Sequence, residues 1–179
     1  MPNTTKSTPA KRSSSAATRV PDATRLLIQD HREVKALFKE YEKLVKAEAS
    51  DDEKQPLAEQ ICTMLTVHAA VEEEIFYPAA REALEEGDLL DEAAVEHASA
   101  KDLIAQIKDG SPSDEYYDAK VKVLGEYIDH HVQEEEKELF PKVRKTELDL
   151  KELGQTMKAR KDELMEEMTE GTEAVGAKH

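Results

Sequence analysis

Two strings in the chain place an imidazole and a carboxylate four residues apart. His68-Ala-Ala-Val-Glu72-Glu73 is followed by Pro78, ten residues after its histidine, and His131-Val-Gln-Glu-Glu135-Glu136 by Pro141, again ten residues after. On an α-helix residues four apart share a face about 5.4 Å apart along the axis, so each pair can grip one ion. Two further histidines stand upstream at similar intervals, His31 by 37 residues before His68 and His97 by 34 before His131. The two halves of the chain therefore repeat in outline, and four His and two Glu stand at matching places.

The elements that must position them follow from apolar spacing. From Asp22 onward apolar residues recur at three- and four-residue steps, which is the helical period. Helix one is expected from about Ala23 to Glu48, with the stripe Leu27, His31, Val34, Phe38, Tyr41, Val45. Helix two starts with Pro56 in its first turn and carries Leu57, Ile61, Leu65, His68, Glu72 and Ile75 until Pro78 kinks or interrupts it. Helix three shows Leu90, Ala94, His97, Ile104 and Ile107 and ends at Gly110. Ser111-Pro112 reads as cap and first-turn proline of helix four, which carries Val121, Leu124, Ile128, His131, Glu135 and Leu139. A weaker stripe, Leu153, Met157, Leu164, Met168, predicts a fifth helix that packs as a flap over the bundle or forms a dimer surface. The fold class is all-α: an antiparallel up-down-up-down four-helix bundle at residues 22–145, a C-terminal helix and tail at 146–179, and a disordered basic arm at 1–20. That arm holds Lys6, Lys11, Arg12 and Arg19, many Ser and Thr, and no acid, too little apolar area to offset chain entropy.

Composition agrees. In 179 residues there are three Phe, five Tyr, no Trp and six Gly, a poor supply for a many-stranded sheet. A formal charge of −15 argues against electrostatic binding of nucleic acid or anionic membrane by the bundle. Apolar runs are short, so no transmembrane helix or secretory signal is expected, and the single Cys62 in an apolar helical stretch reads as a core thiol. The expected compartment is the cytoplasm.

At helix spacings of about 8 to 10 Å, four inward histidines at one depth converge with Glu72 and Glu135 in the interior. Buried carboxylates without partners cost several kcal/mol apiece, about enough to forbid the arrangement unless cations lie between them. Imidazole and carboxylate without thiolate suit iron, manganese or zinc. Six side chains are too many for one tetrahedral zinc. Two octahedral ions offer about twelve positions, which four His, two bridging Glu and a bridging solvent oxygen fill to within about two. Around this set, Tyr127 stands one turn before His131, and Asp30 adjoins His31 as either an acceptor for a ligand or an exposed residue. His130 falls off the stripe and reads as a solvent-facing residue or a contact to the ligands, while Glu73, Glu74, Glu134, Glu136 and Glu138 read mainly as a solvated acidic face, with an entry path for cations or hydrogen bonds to the ligands as the other readings.

These residues resemble the hemerythrin family, and within it bacterial HHE cation-binding domains. The resemblance covers residues 22 to 145 through "DHREV" at Asp30, "HAAVEEEIFYP" at His68, "EH" at Glu96 and "HVQEEEKELFP" at His131. It implies an antiparallel bundle around a non-haem di-iron centre with the metal ligands His31, His68, Glu72, His97, His131 and Glu135. It further implies a small oxidant as partner, whether dioxygen, peroxide or nitric oxide, with peroxide decomposition as the enzymatic possibility. Oxygen carriers place a second histidine four residues after that of the third helix, where this chain has Lys101, and use aspartate in place of Glu135. These departures weigh against reversible oxygen carriage and make Lys101, with Tyr127, a candidate contact to the ligands. A sensor without turnover and a metal-free helical stress protein remain beside the oxidant-handling reading.

Overall fold

A computed structural model describes residues 20–176, with side chains placed through residue 169. The basic arm expected over residues 1–20 (Val20 apart) and the terminal His179 lie outside the described residues. The described residues form five helices in chain order: α1 (Ala23–Lys46), α2 (51–83), α3 (Asp88–Lys108), α4 (117–143) and α5 (Leu150–Gly176). No strand occurs among the described residues, as the all-α reading expects.

Local chemistry sets where each helix begins. Asp22 caps α1, its Oδ1 accepting from the Arg25 amide at 3.0 Å and the Thr24 hydroxyl at 2.9 Å. Helix α2 starts at Asp51, earlier than Pro56 suggests, because Glu53 accepts from both the amide and the hydroxyl of Ser50 at 3.1 and 2.9 Å. Pro56 therefore lies inside the helix. Helix α4 starts later than expected, at Tyr117. Asp114 instead folds back on the Ser111 amide at 2.9 Å, so Ser111 to Asp114 form a turn.

Helix α1 packs against α2 and α4, and α3 packs against α4 and α2, so the four enclose one interior. The pairs His31/Glu136, Lys35/Asp129 and Tyr41/Asp118, at 2.9, 2.9 and 2.7 Å, run in opposite residue order, so α1 and α4 are antiparallel. Asp118 also takes Lys54 of α2 at 3.0 Å, tying three helices together at the end away from the histidines. Helix α5 lies across α1 and α2 and buries Met157 completely, so the weak C-terminal stripe is a cover over the first half of the bundle. Gly154 makes that approach possible: a Cβ there would stand 2.5 Å from the Pro21 carbonyl oxygen and 2.7 Å from the Ala23 nitrogen.

The core divides in two. One apolar cluster contains Tyr41, Leu65, Ile104 and Leu124; the other contains Leu27, Phe76, Leu90 and Phe140. In sequence, each of the four bundle stripes passes from one cluster to the other through histidine, and α2 and α4 also through glutamate. His31, Glu72, His97, His131 and Glu135 are all buried, and the His68 side chain is 11% exposed.

Candidate metal centre

Helices α2 and α4 each contain one wide turn, and each begins at a glutamate: Glu72–Phe76 and Glu135–Leu139 are π-helical. The closing bonds run five residues back, from the Tyr77 amide to the Glu72 carbonyl and from the Phe140 amide to the Glu135 carbonyl. Pro78 and Pro141 follow immediately and have no N–H to add to the ordinary ladder. The prolines thus neither break nor end these helices; the helix runs on through the wide turn. Its effect is rotational. In a plain α-helix residue 77 would lie about 140° around the axis from residue 72. The wide turn brings Tyr77 back towards the face of Glu72, and Phe140 towards that of Glu135.

The six expected ligands come together. Donor atoms of His31, His68, Glu72 and Glu135 all lie within 4.8 Å of one another, as do those of Glu72, His97 and His131. All four imidazoles turn Nε2 inward. His68 and His97 approach Glu72 Oε2 at 3.2 and 3.3 Å, and His31 and His131 approach Glu135 Oε2 at 3.2 and 3.5 Å. His97 and His131 bring their Nε2 atoms to 3.2 Å of each other.

Each outward Nδ1 meets a carboxylate. His31 pairs with Glu136 at 2.9 Å, His97 with Glu73 at 2.9 Å, His131 with Glu96 at 2.7 Å and His68 with Asp30 at 3.4 Å. The pattern obeys the repeat: acids directly after Glu72 and Glu135 serve His97 and His31, and acids directly before His31 and His97 serve His68 and His131. An Nδ1–H donated to a carboxylate leaves Nε2 as the free lone pair and fixes the ring, as metal-binding imidazoles require. Two of the acids are themselves held. Lys101 lies 2.6 Å from Glu73, and Lys161 of α5 lies 2.5 Å from Asp30.

Tyr77 completes the interior. Its hydroxyl donates its one proton to Glu135 at 2.9 Å and lies 3.4 Å from Glu72 Oε2 and 3.2 Å from His97 Nε2. Burial, with Glu72 and Glu135 beside it, pushes its phenol well above the usual range, so the hydroxyl keeps its proton. Phe140 occupies the corresponding place in the other half and stacks on His31 with centroids 5.9 Å apart and planes 8° from parallel.

The electrostatics are those of a site built for positive charge. Burial alone would lower the His68 imidazole, but Glu72 and Asp30 outweigh it and push it up to about 10. Burial likewise opposes, and Glu96 with Glu135 and Glu72 overcomes, in raising His131 to about 9. Glu72 is held well below the carboxylate range: burial opposes the fall, and His68 and His97 outweigh it. Even so, among the described residues four buried atoms find no hydrogen bond: His31 Nε2, His68 Nε2, Glu72 Oε1 and Glu135 Oε2. Such atoms each cost about 1–3 kcal/mol when left unmade, and all four belong to the expected ligand set. Unpaired nitrogen and oxygen donors converging on common points, with no sulfur among them, fit cations of the iron, manganese or zinc type.

Other expectations need correction. Tyr127 is half exposed, and the tyrosine at the centre is Tyr77. Glu73 and Glu136 are not merely a solvated face, because they hold His97 and His31. Of the two readings of Asp30 the acceptor is the one that holds: it is buried, 3.4 Å from His68 Nδ1. Lys101 touches a carboxylate that holds a ligand rather than a ligand itself, and Glu74 pairs with Arg160 of α5 at 2.7 Å. The acids were marked in the sequence by their repetition, "DH" against "EH" and "EE" against "EE"; Tyr77 was hidden by a turn that regular periodicity does not anticipate.

Helices enclosing a buried layer of imidazoles and carboxylates define a cation-binding helical protein. The chain belongs to the hemerythrin HHE cation-binding family, whose domain matches residues 22–143. It is similar to the crystal structure of a hemerythrin HHE cation binding domain-containing protein from Mycobacterium kansasii, at 25% identity and a TM-score of 0.66 over 80% of this chain and 87% of that one. It is also 36% identical over 136 residues, or 73% of its length, to a DNA nickase of Nostoc sp.. The chain spans 37% of the length of that relative. Among the described residues no helix is long and apolar enough to cross a membrane.

Proposed function

We propose that the centre holds two iron ions and that the protein binds, reduces or senses a small oxidant: dioxygen, peroxide or nitric oxide. The observation that carries this reading is the pair of overlapping donor groups that share Glu72. Bound iron would supply redox electrons and open coordination positions. The chain's own residues do the rest. The four Nδ1–carboxylate contacts orient the rings, and Tyr77 holds a proton at Oη, 2.9 Å from Glu135, inside the centre. A cavity of about 540 Å³ reaches all four histidines past Leu65, Ile104 and Ile128. Apolar walls favour entry of a small uncharged molecule and keep water scarce beside the donors.

Anaerobic loading with ferrous ion, followed by iron analysis and stopped-flow spectra with each oxidant, tests the reading. About two irons per chain and a spectral change with at least one oxidant are expected. No retained iron overturns it. Gas evolution from peroxide would mark turnover.

A sensing role without turnover is favoured by the contact of Lys161 with Asp30, which joins α5 to the residue behind His68. Protease cleavage within α5 should then fall when metal binds, and cleavage indifferent to metal counts against sensing. The name of the Nostoc relative adds strand nicking as an outcome to exclude. Donors buried in the bundle and a net charge of −15 argue against DNA as substrate, and unchanged supercoiled plasmid after incubation with the loaded chain is the expected result. The cytoplasm remains our proposal for the compartment, on the single buried Cys62, whose thiol burial pushes up to about 11.

A further inference from the structure

The repeat assigns each residue of one half a counterpart in the other, and one corner breaks the correspondence. Asp30, before His31, corresponds to Glu96, before His97; Val67 and Val71, before His68 and Glu72, correspond to His130 and Glu134. In the first half the two valines are 1% and 2% exposed, Val67 lines the same cavity as Met165 of α5, and α5 sets Lys161 against Asp30. In the second half His130 is 65% exposed. Among the described residues no Lys or Arg pairs with Glu96 or Glu134. Glu96 meets His131 at 2.7 Å and His130 at 3.6 Å, and Glu134 meets His130 at 3.3 Å. Glu92 and Glu138 add further negative potential at Glu134. Of the four acids that hold histidines, Asp30 and Glu73 have a lysine and, among the described residues, Glu136 meets only His31; Glu96 alone faces a second imidazole with a second carboxylate beyond it.

We propose that Glu96, His130 and Glu134 form a third cation site, for a divalent first-row metal ion, which balances Glu96 as Lys161 balances Asp30. One donor atom from each residue lies within 4.8 Å of the others. His130 and Glu134 are four apart on α4, the chelating spacing of the buried pairs, and Glu96 closes the site from α3. One imidazole and two carboxylates with water in the remaining positions is an ordinary donor set for such an ion. Glu96 belongs to both places: Oε2 holds the ring of His131, and Oε1 faces His130. The site does not depend on which metal fills the interior.

The test is equilibrium dialysis of the full chain against Zn²⁺, with bound metal counted by mass spectrometry. The wild-type chain should retain about three zinc ions, and His130→Ala and Glu134→Gln about two each. Glu138→Gln, which removes the same charge without touching the corner, should retain as many as the wild type. His68→Ala should lower the buried count while leaving the His130-dependent ion in place, so failure of this site and failure of the interior one are told apart. Equal counts for wild type and His130→Ala overturn the proposal, as does an equal loss in Glu138→Gln, which would reveal a diffuse counter-ion cloud. Nitrogen-15 resonances of the His130 ring should shift with the last equivalent of zinc, and an unmoved Nε2 likewise overturns it.

Discussion

Behind His68 the bundle is roofed by α5, whereas among the described residues nothing comparable covers the corner behind His131. In the first half Lys161 reaches in from outside the four helices, and among the described residues the second half has no such cation. Inside, the asymmetry reverses in kind: the first half contributes Tyr77, a proton-bearing hydroxyl, where the second contributes the inert ring of Phe140. Ligands and the acids that hold them obey the repeat closely, while the residues around them do not. The repeat thus fixes where the two donor groups stand, and the departures from it make the two groups chemically unequal.

The largest effect should come from the residue that belongs to both donor groups. Glu72→Ala should cut metal affinity about a hundredfold or more at both positions, measured by competition with a chelator, while His68→Ala acts chiefly on one. Equal residual binding in the two variants would abolish the distinction between the halves. Lys161→Met removes the countercharge of Asp30, which is buried; with Lys161 partly exposed, the expected loss is about 1–3 kcal/mol by urea denaturation. Lys101→Met, at a more exposed pair with Glu73, should cost less than about 1 kcal/mol.

Acidity gives a third handle. His68 and His131 are raised in the metal-free fold to about 10 and about 9, above the unfolded value of 6.5. Protonation of these two therefore stabilises the metal-free chain fully below about pH 6.5, and that contribution fades as pH rises through about 9 to 10. Metal and protons compete for the same lone pairs, so loading near neutrality should release protons into a weakly buffered solution. A metal-free chain equally stable at pH 6.5 and pH 10 would contradict this charge distribution. Tyr77→Phe makes the two interiors alike; it should cost about 1–2 kcal/mol through the lost bond to Glu135 and alter the oxidant-dependent spectrum while metal still binds. Smallest of all, Tyr127→Phe should stay within about 0.5 kcal/mol and leave the spectrum unchanged, since its ring stands half in solvent.

The helices and ligands could be read from the chain because both rest on short-range spacing. Leu27, His31 and Val34 share a face whatever surrounds them, and His68 with Glu72 or His131 with Glu135 need only one helical turn to meet. Helix starts were harder. Pro56 and Pro112 are both compatible with a first turn, but Ser50 with Glu53 and the fold-back of Asp114 onto Ser111 decided the matter through side-chain bonds that periodicity does not weigh. Tyr77 was missed for a related reason. Counting by 3.6 puts it off the face of Glu72, and the count fails where the helix widens; Tyr127 lies in the regular part of α4, ahead of the wide turn, and shares a face with His131 while its ring stands half in solvent. Lys161, 131 residues from Asp30, could be found only by knowing how α5 lies on the bundle.

A wide turn carries one residue more than a plain helix of the same rise would need, and that surplus has an implication for what the wall of the chamber can lose. Deleting Ile75 would put the tyrosine four residues after Glu72, the same face of an ordinary helix, so the phenol should stay inside. Elsewhere in these rods the loss of one residue would turn everything beyond it by about 100°. The place where the helix is least regular is therefore the place where a subtraction costs the least.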